Sequence, residues 1–197
     1  MRQSVPAGSN GPKLKFKPKL DKIVELLLYL AHKHPNSDQY QAVKFMYLAD
    51  REHFNKFGRP ITFETYYALD YGPVATNALD LIKGKFYALK AAGISGLPIE
   101  LERRDNIIIL SHPLRAVDYD IFSRSDIHVF DDILKRYGDK SFDDLYRITH
   151  KHFAYDYAWK NRKQGNRALM YYEDMLDENP KKSIIINELE LIAENMK

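Results

Sequence analysis

Four residues of this 197-residue chain have side chains suited to metal binding or acid–base work at close spacing: Asp50, His53, His150 and His152. Asp50 and His53 lie three apart, which on a helix puts them on one face. The pair His150 and His152 could in principle add ligands for a divalent ion. The spacing matches no common zinc pattern, however, and two histidines separated by one residue point apart on a helix. The chain also has no G-x-S-x-G turn to expose a nucleophile and no glycine loop to cradle phosphate. These residues give no reason to expect an enzyme, a metal or a cofactor.

Asp50 has a second, structural reading. At ~100° per residue, Val43, Met46, Tyr47, Asp50 and Phe54 fall within about 80° of one another, so Asp50 sits in an apolar stripe. A carboxylate buried there must be hydrogen-bonded or paired. Donors are expected from the loop after the helix, either Arg59 or the backbone around Tyr71 and Gly72. Lys44, Tyr47 and Arg51 form a polar stripe on the neighbouring flank. The chain has 14 tyrosines, and Tyr47, Tyr66, Tyr67 and Tyr71 lie in or beside this stretch. Tyrosine combines an apolar body with a polar tip and is enriched at interfaces. Tyr66 and Tyr67 point to opposite faces of an extended segment, so one of them should face outward. Lys44, Tyr47, Arg51 and an outward Tyr66 are therefore the expected partner-binding residues.

The elements that position these groups are legible locally. Asp38 and Gln41 form a capping box that opens a helix. Gly58 supplies the left-handed position that ends it, and Pro60 prevents continuation. Ile61 to Tyr71 alternates with period two in β-favouring residues, so at least part of it is a strand, with a one-turn helix over Phe63 to Tyr67 as the alternative. Gly72-Pro73 fits the N-cap and first position of the next helix, whose apolar face runs from Val74 through Leu89.

The run YLADREHFNKFGRPIT (Tyr47 to Thr62), followed by ALDYGPV (Ala68 to Val74), resembles the core of the SocA-like Panacea domain. That is a family of bacterial and phage-encoded antitoxins. Ser141, Thr149-His150 and Ala158-Trp159 are similar to its weaker C-terminal pattern. The resemblance implies a protein that neutralises a cognate toxin, either by binding it or by delivering it to a cellular protease. In the same terms Asp50, Gly58, Pro60, Gly72, Pro73, His150 and Trp159 are motif positions with structural roles. Trp159 reads either as core or as contact.

The rest of the chain sets the class. Residues 1–18 are rich in Gly, Pro, Ser and Lys and read as a flexible basic arm, either simply solvated or tracking phosphate. Residues 19–197 read as one domain, with a core over 20–160 and a C-terminal helical extension over 165–197. Leu20 to Ala31 makes an amphipathic helix closed by His32 and His34. Ile99 to Leu110 reads as a β-hairpin, and helices are expected from Ser123 or Ser125 to Gly138, after Ser141, and over Ile185 to Met196. The fold class is α+β and mostly helical: a helical bundle with a small antiparallel sheet, in a winged-helix-like order. That order, a net charge of +3 and the aromatic and basic run 151–167 make a nucleic-acid-binding regulator the alternative function. Against it, Asp126, Asp131, Asp132, Asp143 and Asp144 are expected to put acidic surface close by. No apolar run approaches the ~20 residues of a membrane span, no N-terminal segment reads as a signal peptide, and there is no cysteine. The expected setting is the cytoplasm, with no membrane partner.

Overall fold

The computed structural model describes residue 14, residues 16–176 and residues 179–195. Most of the expected basic arm, including Lys13 and Lys15, lies outside the described residues, as does Met196.

Helix α1 (Leu20–Lys33) is buried from Lys22 through Ala31. Its apolar spacing predicts one inward face, but its polar residues turn inward too, because each finds a partner. Lys22 Nζ donates to Asp126 at 2.6 Å, and Glu25 accepts from the Arg115 guanidinium. Strand β1 (Ser37–Asp38) leads directly into α2 (Gln39–Phe57). The Asp38/Gln41 capping box forms, and Gly58 ends the helix at φ 73°, a conformation that costs glycine little.

The segment after Gly58 departs from simple alternation. Phe63 takes φ 56°, and the strand β2 is confined to Tyr66–Leu69. Gly72-Pro73 does not start a helix. Gly72–Ala75 is strand β3, antiparallel to β2 with Leu69 opposite Gly72, so Asp70 and Tyr71 make a two-residue turn. Proline is tolerated because β3 is an edge strand, where no ladder donor is required of it. Helix α3 (Thr76–Ile82) starts three residues later and is capped from a distance: the Glu64 carboxylate accepts from Asn77 N at 3.2 Å and Ala78 N at 2.9 Å. The apolar face expected to continue without a break is split at Gly84 (φ 68°), after which α4 (Phe86–Ala91) follows.

The hairpin is β4 (Ile99–Arg104) and β5 (Ile107–Pro113), with a bulge at Glu100/Leu101. Its third strand is β1, giving the order β1-β5-β4. The tyrosine-rich strand belongs to a separate sheet, in the order β3-β2-β6, where β6 is Ala168–Leu169. Helix α5 (Arg124–Tyr137) is capped by Ser123 and Asp126, and α6 (Phe142–His150) by Ser141. Helices α7 (Phe153–Lys160), α8 (Tyr172–Met175) and α9 (Lys182–Asn195) complete the described chain. Around α1 and α2 lies a core that also takes in Met170, Tyr172, Met175 and Leu176. The architecture is α+β and mostly helical. Among the described residues, no helix is long and apolar enough to cross a membrane.

Candidate functional site

Helix α2 turns Lys44, Tyr47, Asp50, His53 and Phe54 inward. Asp50 Oδ1 accepts from Ile61 N and Thr62 N, each at 2.9 Å. Its Oδ2 accepts from Thr62 Oγ1 at 2.5 Å and from Tyr66 Oη at 2.9 Å. The loop after the helix does supply the donors, but they are Ile61, Thr62 and Tyr66, not Arg59 or the Tyr71–Gly72 backbone. Burial pushes the Asp50 carboxyl up, and these four hydrogen bonds pull against that without cancelling it. Tyr172 closes the cluster from far along the chain, its hydroxyl donating to the Glu64 carbonyl at 2.8 Å.

Arg59 goes elsewhere. It donates to Asp126 at 2.8 Å, where Lys22 Nζ and His53 Nε2 also converge, at 2.6 and 3.1 Å. Burial pushes the Asp126 carboxyl up, but hydrogen bonds from His53, Lys22 and the Ser123 backbone, with the Arg59 charge, hold it well below the usual range. Asp126, expected on an acidic surface, is instead fully buried and fastens the start of α5 to α1 and α2. A helix start at Ser123 or Ser125 was readable from sequence. The three side chains gathered by Asp126, Lys22, His53 and Arg59, come from 67 to 104 residues away in the chain and left no local signal.

Lys44 has much less around it. Its ammonium donates to the Pro73 carbonyl at 2.8 Å and lies 4.6 Å from the centre of the Tyr40 ring. Burial lowers its pKa to about 7. Gly72 closes over it at φ +99°, and a Cβ there would sit 2.9 Å from Lys44 Nζ, 3.0 Å from Thr149 Oγ1 and 3.1 Å from His150 Cε1. His150 holds the β2–β3 turn from the other side, with Nδ1 2.7 Å from the Tyr146 carbonyl and Nε2 3.3 Å from that of Asp70.

These placements correct the expected docking patch. Tyr66 is 1% exposed, and Lys44 and Tyr47 are fully buried, because each carries a polar tip that is used inside the fold or at its edge. Tyr67 is the half-exposed member of the strand pair, and Arg51 is half-buried beside Glu52, Asn55 and Arg136 in a shallow groove between α2 and α5. The metal-like quartet is not assembled. Asp50, His53 and His150 have the separate partners described above, while His152 Nδ1 lies 3.3 Å from Tyr47 Oη. Among the described residues, no group of three or more His, Asp and Glu could hold a metal ion. Trp159 is half-buried, with the Arg162 guanidinium 3.8 Å above its ring and Tyr155 stacked at 6.1 Å.

What this scaffold presents to solvent is aromatic. Tyr71, at the β2–β3 turn, is 64% exposed, and Phe142, at the start of α6, is 48% exposed. Their rings meet edge to face at 5.9 Å, and Phe142 also lies 4.3 Å from the ring of Tyr40, which covers Lys44. Asp70 and Asp143, both exposed, adjoin the pair in sequence. Tyr71 was named from sequence among the interface-suited tyrosines but not among the expected partner-binding residues, and Phe142 was not singled out. The visible signals were the turn position of one and the place of the other directly after the Ser141 cap.

A family model described as antitoxin SocA-like, Panacea domain, matches residues 43–160. No curated protein and no solved structure matches the chain.

Proposed function

The chain belongs to the antitoxin SocA-like Panacea family, and we propose that it neutralises a cognate protein toxin by binding it and occluding its working surface. The observation that supports this reading best is the Tyr71–Phe142 pair: two large exposed rings in contact, one on a turn fastened by Lys44 and His150 and the other at the start of α6. Exposed aromatics on a rigid base add contact area at low cost in side-chain entropy. With Asp70 and Asp143 alongside, the face suits a toxin segment that brings apolar side chains and a lysine or arginine. Chemistry on the toxin is not required, since blocking its surface is enough.

The test is co-expression of this chain with the product of each adjacent gene, scoring growth and co-purification. Wild type should rescue growth and co-purify with the toxin. Tyr71→Ala with Phe142→Ala should lose both at an unchanged melting temperature. A complex retained by the double variant removes this face from the reading. Rescue without any complex replaces occlusion by delivery to a protease. No toxic neighbour at all overturns the antitoxin reading.

A further inference from the structure

A second set of exposed residues, beyond the antitoxin reading, has a different chemistry. Between residues 151 and 172 the sequence holds Lys151, Lys160, Arg162, Lys163 and Arg167 against a single acid, Asp156. Asp156 pairs with Lys160 at 2.8 Å in an exposed i,i+4 contact that is worth little and yields readily. Among the described residues, no carboxylate salt-bridges Lys151, Arg162, Lys163 or Arg167, and all four are exposed.

Two of these cations are arranged, not merely present. The Arg162 guanidinium lies 3.8 Å over the Trp159 ring, and its Nη1 donates to the Trp159 carbonyl at 2.6 Å. The Arg167 guanidinium lies 5.0 Å from the ring of Tyr67. The two sites are joined through the fold. Tyr155 stacks on Trp159 and donates to the Leu69 carbonyl of β2 at 2.9 Å, while β6 pairs with β2 so that Leu169 stands opposite Tyr67. The two cation–ring pairs are therefore carried on elements that are tied to the same strand, β2.

We propose that this α7–β6 face binds single-stranded nucleic acid. A guanidinium placed over a ring can offer its outer plane to an unpaired base and its N–H edge to a phosphate. Lys151, Lys160 and Lys163 add sequence-independent phosphate neutralisation. A duplex keeps its bases stacked inside and can use only the charge. An acidic protein segment likewise needs the charge and not the planes, so guanidiniums placed over rings favour the single strand.

Fluorescence anisotropy of the full chain with a labelled oligothymidylate, and with a duplex of equal length, tests this at low and physiological salt. The single strand should bind more tightly than the duplex, with an affinity that falls as salt rises. Arg162→Ala with Arg167→Ala should weaken it and flatten the salt slope by about 0.7 for each phosphate no longer neutralised. Arg162→Lys with Arg167→Lys keeps the charge and loses the planes, so it should weaken single-strand binding roughly tenfold with the slope unchanged. Both pairs are exposed, and an unaltered melting temperature checks that they fold. The proposal is overturned by no binding at low salt, by equal affinity for strand and duplex, or by lysine variants that bind like wild type. It is also overturned if these variants lose a co-purifying toxin while the oligonucleotide never binds.

Discussion

Two buried ionisable side chains stand six residues apart on α2, and their surroundings could hardly differ more. Asp50 takes hydrogen bonds from four donors on three residues of the following segment. Lys44 has one carbonyl and the face of one ring. A buried carboxylate surrounded by donors organises the chain, because the Ile61 and Thr62 donors would be stranded without it. A buried ammonium with a single acceptor is a cost that the fold carries, lessened by the loss of its proton. One helix thus holds a fastening that the fold depends on and a charge that it could lose.

The contrast is broken first at Asp50. Asp50→Ala strands two backbone N–H groups and the Thr62 hydroxyl, leaves Tyr66 Oη only the Met46 carbonyl at 3.2 Å, and should destabilise by about 3–5 kcal/mol in urea unfolding. A loss under about 1 kcal/mol would mean that the network is ornamental. Next comes Gly72→Ala, which forces a side chain onto φ +99° and against Lys44 Nζ. It should cost about 2–3 kcal/mol. Combining it with Lys44→Met should recover part of that loss if the clash with Nζ is its source. Tyr66→Phe removes one donor from Asp50 and should cost about 1 kcal/mol, with the melting temperature as readout.

The smallest change in stability is expected at Lys44 itself. Lys44→Met keeps the apolar stem and drops the charge, so its stability at mildly alkaline pH should lie within about 1 kcal/mol of wild type. The pH profile is the sharper measurement. The folded pKa is depressed from 10.5 to about 7, so in that window the unfolded chain holds a proton that the folded one has released. Wild-type stability should therefore rise as pH climbs from about 7 and fall as pH drops back through it, and the variant should lack this component. The raised tyrosines Tyr29, Tyr40 and Tyr155 act in the opposite direction only near and above 10, and Glu64, raised to about 7, acts below the window. Parallel wild-type and variant profiles would show that Lys44 is solvated and that the contrast with Asp50 is false.

The same contrast explains what could be read from sequence. The caps at Asp38, Gly58 and Ser141, the start of α5 to within two residues and the β4–β5 hairpin were legible because each is decided within a few residues. That Asp50 needed donors was legible too, since it interrupts an apolar stripe. Which groups would answer was not. Glu64 caps α3 from 13 residues away, and Asp126 collects cations from across the chain. Alternation placed Tyr66 and Tyr67 on opposite faces but could not say which face was inward, because that depends on α2 and on a tyrosine 108 residues beyond Glu64. The surface placement expected of Lys44, Tyr47 and Tyr66 is overturned for that reason: they have polar tips that suit a surface, and the fold uses them inside.

Tyr172 also sets an order of events during synthesis. Its hydroxyl meets Glu64, its ring packs near Phe54 and Tyr66, and β6 just before it covers the open edge of β2. At roughly 5–20 residues per second, translation takes about 5–20 s to cover the 108 residues between Glu64 and Tyr172. For that interval the centre of the protein is made but unsealed, with an unpaired strand edge and buried aromatics still open to solvent. Nascent chains halted before Ala168 should be cut by a protease within β2, and chains released at full length should resist. Each new molecule of this protein would then spend its first seconds as something a cell could destroy or shelter before it could act.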